Sequence, residues 1–384
     1  MLKPELWLFV FKQILRRPTR SGLTVVGVAI AMFLFAAVQT MQQGLETTTR
    51  QTAEDTALIV FQQGRFCAST SRLPERYGQA IAQMPGVKRV TPMRVVVSNC
   101  RAGLDVVTYR GVPAERWADE HGVTLKMLDG SLARWQQRRD AAIVGRTLAQ
   151  RRGVQVGDSL EAAGVRVQVA GILDSDDPQD LNVAYVHLDF LQRAVGPDQL
   201  GVVTQFNVQV DDPQRLDATA QAIDERFAHD EAATATSSEK GFIAQAAGDA
   251  VQLIAFTRYV GWGCLIAVLG LIANSIVLSV QDRIKEHAVL QTLGFTGGQV
   301  ARLIVVESLV LGLLGGLIGC GVALWVMHAG QFALSSEGFS IPFIASPATL
   351  LWGLLISMVL GVAAGLVPAW QASRREIASC FRAV

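Results

Sequence analysis

Four stretches of the chain are apolar for long enough to cross the hydrocarbon core of a bilayer, which takes about 20 residues of α-helix. They run over 22–41, 252–281, 303–328 and 347–370. Between the first and the second the pattern changes to short β-branched runs, mixed helical segments and Gly/Asp turns, and that region reads as a folded polar domain. The expected architecture is a four-helix membrane protein with a large α+β extracytoplasmic domain between helices 1 and 2.

Inside that domain one pattern occurs twice. A β-branched strand at Leu58 to Phe61 leads through a helix (Leu73 to Met84) into a strand at Val87 to Val97; a strand at Phe206 to Val210 leads through a helix ending near Phe227 into a strand near 232–236. Each is a strand-helix-strand unit, and the two are expected to pair into one split α/β layer. The segment between them, about 111–200, alternates short β stretches with Gly-Asp turns and is expected to form a small β-rich subdomain inserted into that layer. Within it DSDDPQD (174–180) lacks the Gly and terminal Glu of an EF-type calcium loop, so a solvated loop is expected.

Composition agrees with a mixed protein. Half of the residues are hydrophobic and 17% charged, with a mean hydropathy of +0.32. A net charge of +1 gives no general attraction to nucleic acid, so the placement of charge carries the information. Lys3, Lys12, Arg16, Arg17 and Arg20 precede the first span, Arg283, Lys285 and Arg302 lie between the second and third, and Arg374, Arg375 and Arg382 follow the fourth; the 329–346 connection has no Lys or Arg. By the positive-inside rule both termini and the 283–299 loop are cytoplasmic and the large domain is outside. A cleaved signal peptide fits the start poorly, because its basic region would be long and would hold an apolar run of its own at 7–11. Residues 1–20 read instead as a cytoplasmic amphipathic helix ended by Arg17-Pro18.

Candidate chemistry is sparse. The sequence has no phosphate loop, no H-E-x-x-H or paired C-x-x-C spacing and no G-x-S-x-G elbow, and its five histidines are scattered. No catalytic, cofactor-binding or metal site is expected. Cys67 and Cys100 lie in the outer domain, where oxidation is permitted, and a disulfide between them is expected. In the third span Gly312 and Gly316, and Gly315 and Gly319, make two overlapping G-x-x-x-G pairs, which fit tight helix packing within the subunit or across a dimer. Glu307, near the start of that span, is expected to pair or cap there. Asn274, Ser275 and Ser279 of the second span either hydrogen-bond a neighbouring helix or line a polar path, and Arg258 is placed to snorkel.

The remaining unusual stretch is RIKEHAVLQTLGFTGGQ, 283–299. Ala288, Val289, Leu290 and Leu293 give a short helix an apolar face, and Gly294 stands where that helix would stop. It is either an inert turn or a knob that docks into a cytoplasmic partner. With the E-S-L helix and its glycines that follow, the run resembles the permease domain of the FtsX and MacB group of ABC transporters. The positions that carry the resemblance are Arg283, Glu286, Val289, Leu290, Leu293, Gly294, Glu307, Ser308, Gly312, Gly315 and Gly316, with His287 where the group often has Ile. The stretch VGRTLAQRRGVQVGDSLEAAGVRVQVAGIL also looks like the group's outer domain.

The resemblance implies an organisation of 1–20 amphipathic helix, 21–42 first span, 43–250 MacB-like periplasmic domain and 251–384 FtsX-like permease domain. It implies a permease subunit, not an enzyme, that works by mechanotransmission. Two copies of a separate cytoplasmic P-loop ATPase, which binds the ATP and Mg, would dock on the helix containing Arg283, Glu286, Val289, Leu290, Leu293 and Gly294. A second permease subunit, most simply an identical one, would complete the membrane unit in a bacterial inner membrane, with a periplasmic adaptor or substrate-binding protein as a further partner. The implied work is export or extraction of a lipid, lipoprotein, drug or peptide. The alternative is a signalling permease that activates an outer cell-wall hydrolase, and a weaker one is a scaffold that needs no ATPase.

Overall fold

A computed structural model describes residues 16, 18–49, 56–65, 68–98, 106–121, 126–175, 177–246, 248–282, 292, 296–330, 332–336, 339–343 and 346–374. Residue contacts divide the chain into a helical unit (1–42, 254–329 and 344–384) and an α/β unit (43–253 and 330–343). Residues 1–15 and 17 of the expected amphipathic start, the Cys67–Cys100 pair and the 283–291 and 293–294 parts of the proposed docking helix lie outside the described residues.

The helical unit is built on four long apolar helices: α1 (Pro18–Thr49), α10 (Gly248–Asp282), α11 (Gly297–Gly330) and α12 (Pro347–Ser373). The α1 and α10 helices continue past the unit's boundary. Pro18 and Pro347 stand in first turns, where a missing N–H costs nothing and the fixed φ favours the helix. Ser346 caps α12 by accepting from the Ala348 N–H at 3.2 Å. Val28, Met32, Phe35, Ile272, Ile276, Ile304, Leu311 and Ala364 are among the residues that meet in one apolar core. The outward faces carry large exposed side chains such as Trp262, Ile266, Trp325, Leu351 and Trp352. Such a surface would be an aggregation hazard in water and is ordinary against lipid.

The α/β unit is built on one continuous ten-stranded sheet. Its strands are β1 (Ala57–Gln62), β3 (Val87–Val97), β4 (Thr108–Val112), β5 (Lys126–Gly130), β6 (Ala141–Gly145), β7 (Ser159–Ala162), β8 (Val165–Asp174), β9 (Val183–His187), β11 (Gln205–Val210) and β12 (Thr234–Ser238). The order is β12-β1-β11-β3-β4-β9-β6-β8-β5, with β7 on β8. The β4/β9 and β6/β8 pairs are parallel and the rest antiparallel. A small pair, β2 (Leu73–Pro74) with β10 (Val202–Val203), and a hairpin, β13 (Ala333–Ser336) with β14 (Phe339–Pro342), are the other strands among the described residues.

The two strand-helix-strand units interleave. Strand β1 pairs with β11 on one side and β12 on the other, so no unit's own two strands are neighbours. Neither unit can complete its sheet without the other. The insert and the split layer share one sheet, because β3 is long enough to serve both parts. Its residues 87–93 pair with β11, and Arg94 to Val97 pair with β4, which belongs to the insert. Hydrogen bonding along one shared strand joins the insert to the split layer.

Helices cover both faces, unevenly. On the first face α2 (Tyr77–Ala82), α5 (Arg146–Arg152), α7 (Leu188–Val195) and α8 (Leu216–Phe227) bury Ile81, Leu148, Leu191, Ile223 and Phe227 against Leu58, Val60, Phe206, Val208 and Val144. On the second face α9 (Glu239–Ala246) sets Phe242 against Ile59 and Phe61, with the Phe61 and Phe242 rings 4.5 Å apart. At the other end α3 (Ala114–His121) and α4 (Leu132–Gln137) bring Trp117 and Trp135 onto Ile143 and Tyr185. The middle of the second face, over β11 and β3, is left between these two covers.

Candidate functional site

The uncovered middle of the sheet is a cavity of about 440 Å³, within the range common for ligand sites. The strand period of two explains its chemistry. On β11 Phe206, Val208 and Val210 enter the core, while Gln205, Asn207 and Gln209 alternate onto the other face. On β3 Arg89, Thr91 and Met93 share that face, and Arg89 donates to Gln209. Asn207, Gln209, Arg89, Thr91 and Met93 therefore line the floor.

The wall is a buried polar network on the insert. Arg110 of β4 is only 8% exposed. Its Nη1 donates to the Tyr185 hydroxyl at 3.1 Å and lies 3.8 Å from Asp180 Oδ1. The Tyr185 hydroxyl donates to the same Asp180 oxygen at 2.5 Å, and Ser175 donates to Asp180 Oδ2 at 2.8 Å. Burial pulls the Arg110 pKa down, but Tyr185 and Asp180 outweigh it and the guanidinium is held charged. Burial, and then the Asp180 charge, push the Tyr185 phenol well above its ordinary value. The network thus holds one ion pair bridged by a neutral phenol. Trp117 closes it from above, its ring 4.4 Å from that of Tyr185.

Asp180 sits on α6 (Pro178–Leu181), inside the segment expected to be a solvated loop. That expectation is corrected. Asp177 caps the turn by accepting from the Gln179 N–H at 2.8 Å, and Gln179 and Asn182 are buried. The acidic run has a counter-ion 70 positions earlier in the sequence, in Arg110, which no local pattern reveals. The alternation of Gln205, Asn207 and Gln209 with apolar residues was the one sequence signal for a polar second face.

A second arrangement lies in the helical unit, where the glycines of α11 meet two different helices. A Cβ on Gly312 would lie 3.0 Å from Ser357 O and 3.2 Å from Gly361 Cα of α12, and one on Gly316 would collide with the Ser357 side chain. A Cβ on Gly315 would lie 2.5 Å from Val28 Cγ1, and one on Gly319 would strike the backbone of Ala29, both on α1. One glycine pair serves α12 and the other α1, both within the subunit. Helix α12 answers with a small-residue row that the sequence reading missed: Gly353, Ser357, Gly361 and Gly365, all buried. This row meets Cys320, Gly316, Gly312 and Ser308 of α11 in antiparallel order. Spacings of four residues keep each row on one face, so the two backbones can approach closely.

Polar side chains tie the same helices. Ser357 Oγ donates to Gly312 O at 2.5 Å. Ser275 and Thr24 hydroxyls lie 2.7 Å apart, linking α10 to α1, and Ser279 donates to buried Glu307 Oε1 at 3.3 Å, linking α10 to α11. Of the proposed site residues, Glu307, Gly312, Gly315, Gly316 and Gly319 are thus brought together in the helix seams. Among the described residues no group of three or more His, Cys, Asp or Glu is placed to hold a metal ion.

Two family models match the chain. Residues 21–226 match the MacB-like periplasmic core domain and residues 259–377 the FtsX-like permease C-terminal domain. The first match alone spans more than half of the chain, and the chain belongs to this family: it is an ABC transporter permease of the MacB/FtsX type, a membrane protein with an extracytoplasmic domain. An uncharacterized ABC transporter permease, YknZ of Bacillus subtilis, is 27% identical over 59% of this chain and 55% of its own length, so the match spans about half of that relative. An uncharacterized ABC transporter permease of Methanocaldococcus jannaschii, MJ1507, is 22% identical over 94% of this chain and 93% of its own. The crystal structure of the extracellular domain of YknZ aligns with 47% of this chain and 100% of that one, at 18% identity and a TM-score of 0.34.

Proposed function

We propose that the chain is the mechanotransmitting subunit of its transporter. A separate cytoplasmic P-loop ATPase hydrolyses ATP, and this chain carries the resulting displacement to the outer domain. The observation that supports the reading is the pair of seams on α11. Small-residue contacts lock it to α1 and α12 around an apolar core, and close-packed interiors transmit displacement because they resist compression. A core of Val28, Met32, Ile272 and Leu311 favours movement of helices over passage of a polar solute between them.

In this reading two ATPase copies dock on the 283–294 segment, two permease copies form the membrane unit, and both termini face the cytoplasm. The cargo is a hydrophobic or amphipathic compound, lipid, lipoprotein or peptide taken up outside or from the outer leaflet. The test is affinity purification of tagged, detergent-extracted protein, with mass spectrometry of co-purifying chains and an ATPase assay. A stoichiometric P-loop ATPase whose turnover rises with cargo is expected. A permease that purifies alone and alters no ATPase activity would overturn the reading.

A further inference from the structure

The hairpin β13–β14 follows α11 and precedes α12 in the chain, yet it belongs to the α/β unit. Among the described residues, three hydrogen bonds to that unit meet at one hairpin residue. Ser340, 3% exposed, receives three hydrogen bonds or gives them: Gln179 Nε2 donates to Ser340 O at 2.7 Å, the Ser340 N–H donates to Gln179 Oε1 at 3.0 Å, and Asn182 Nδ2 donates to Ser340 Oγ at 3.1 Å. The Gln179 amide thereby satisfies both backbone groups of Ser340, as a third strand would. Gln179 and Asn182 are 5% and 2% exposed. Separating hairpin from α6 would strand four buried backbone and amide groups, which is costlier than moving the two together.

The same short helix carries the cavity wall. Asp177 and Asp180 flank Gln179 and line the cavity, and Asp180 is the acceptor shared by Ser175, Tyr185 and Arg110. A displacement of Ser340 therefore reaches the cavity through one side chain and one turn of helix. We propose that Gln179 is a positioning residue that ties the hairpin between the third and fourth apolar helices to the cavity wall, so that movement of the hairpin opens or narrows the cavity. The tie itself stands on the α/β unit alone; that ATP drives it rests on the proposed function.

The test uses the full-length protein with N207C as a probe in the cavity floor, read by the maleimide labelling rate above that of the parent without it. Q179A should change the rate about tenfold, the ratio that corresponds to two hydrogen bonds of ordinary net strength. Q179E should match it, because a carboxylate faces the Ser340 carbonyl without a proton to give. S340A and N182A should each have a smaller effect, and the double variant no more than either single one, since both remove the same Asn182–Ser340 bond and leave the Gln179 pair intact. An unchanged rate in Q179A and Q179E, with faster hydrogen exchange in the hairpin, would overturn the proposal by showing a pin that does not act on the cavity. An unchanged rate and unchanged exchange would overturn it as well. With an ATPase partner present, ATP should alter the rate in the N207C protein and not in its Q179A variant. If ATP has no effect while the variant pattern holds, the tie stands and the transporter reading falls.

Discussion

Tyr185 shows how one side chain can hold a buried charge in place. Its hydroxyl accepts from Arg110 and donates to Asp180, so it is useful only while protonated. Tyr185→Phe should destabilise the protein by about 1–3 kcal/mol, the cost of leaving buried polar groups without a partner, measured by thermal unfolding in detergent. The pH dependence follows from the raised pKa. In the unfolded chain the phenol ionises near its ordinary value of 10, whereas in the fold burial and Asp180 keep it neutral above that value. Its contribution is complete below pH 10 and is lost as pH rises above it. Tyr109, also raised by burial, adds in the same direction. Unfolding temperature should fall above pH 10, less steeply in Tyr185→Phe; an equally steep fall would show that another group controls it. The sequence displayed Asp177 and Asp180 and gave no hint of Arg110, because the ion pair is made between β4 and α6 by tertiary folding alone.

Among elements, α11 and α12 divide glycines into those that touch and those that do not. A Cβ on Gly361 would lie 2.9 Å from Ser308 O and 3.1 Å from Leu309 Cα, both backbone-proximal atoms that cannot rotate away. Gly361→Ala should cost about 1–3 kcal/mol as overpacking. A Cβ on Gly321 meets nothing within 4 Å, and Gly321→Ala should be neutral or stabilise by up to about 1 kcal/mol through helix propensity. Thermal unfolding of the two variants in the same detergent checks the contrast; equal effects would remove the seam as a source of stability. The G-x-x-x-G pairs were legible as packing surfaces, because spacing fixes which residues share a helix face. That Gly312 and Gly316 face α12 while Gly315 and Gly319 face α1 depends on which helices lie alongside, and spacing does not specify neighbours.

For the whole molecule, the proposed coupling places the ATPase on 283–294. Leu290→Asp with Leu293→Asp should put charge into that interface and lower stimulated ATP hydrolysis at least about tenfold, the effect of losing a buried apolar anchor, while membrane insertion is unchanged. Co-purification of the ATPase with the double variant at full yield and full turnover would place the docking surface elsewhere. In the outer domain, a Cys67–Cys100 disulfide predicts a mobility shift on reduction in electrophoresis and no maleimide reaction at either of these two positions beforehand. Thiols at both positions that label without reduction would eliminate it.

The long apolar runs determined the four spans, since a helix's length and hydrophobicity are local quantities that the bilayer reads directly. The repeated strand-helix-strand pattern determined the outer domain's class in the same way. Tertiary structure decided how these units combine. The interleaving of β1 with β11 and β12, and the sharing of β3 between split layer and insert, depend on strand pairings between residues far apart in sequence, and a strand's own pattern does not name its partner. The cavity follows from that pairing: Arg89, Arg110, Asp180, Tyr185 and Asn207 come from five separate segments. The register of the sheet sets the four strand residues on one face, α6 brings Asp180 over it, and the gap between α9 and the Trp117 helix leaves that face open.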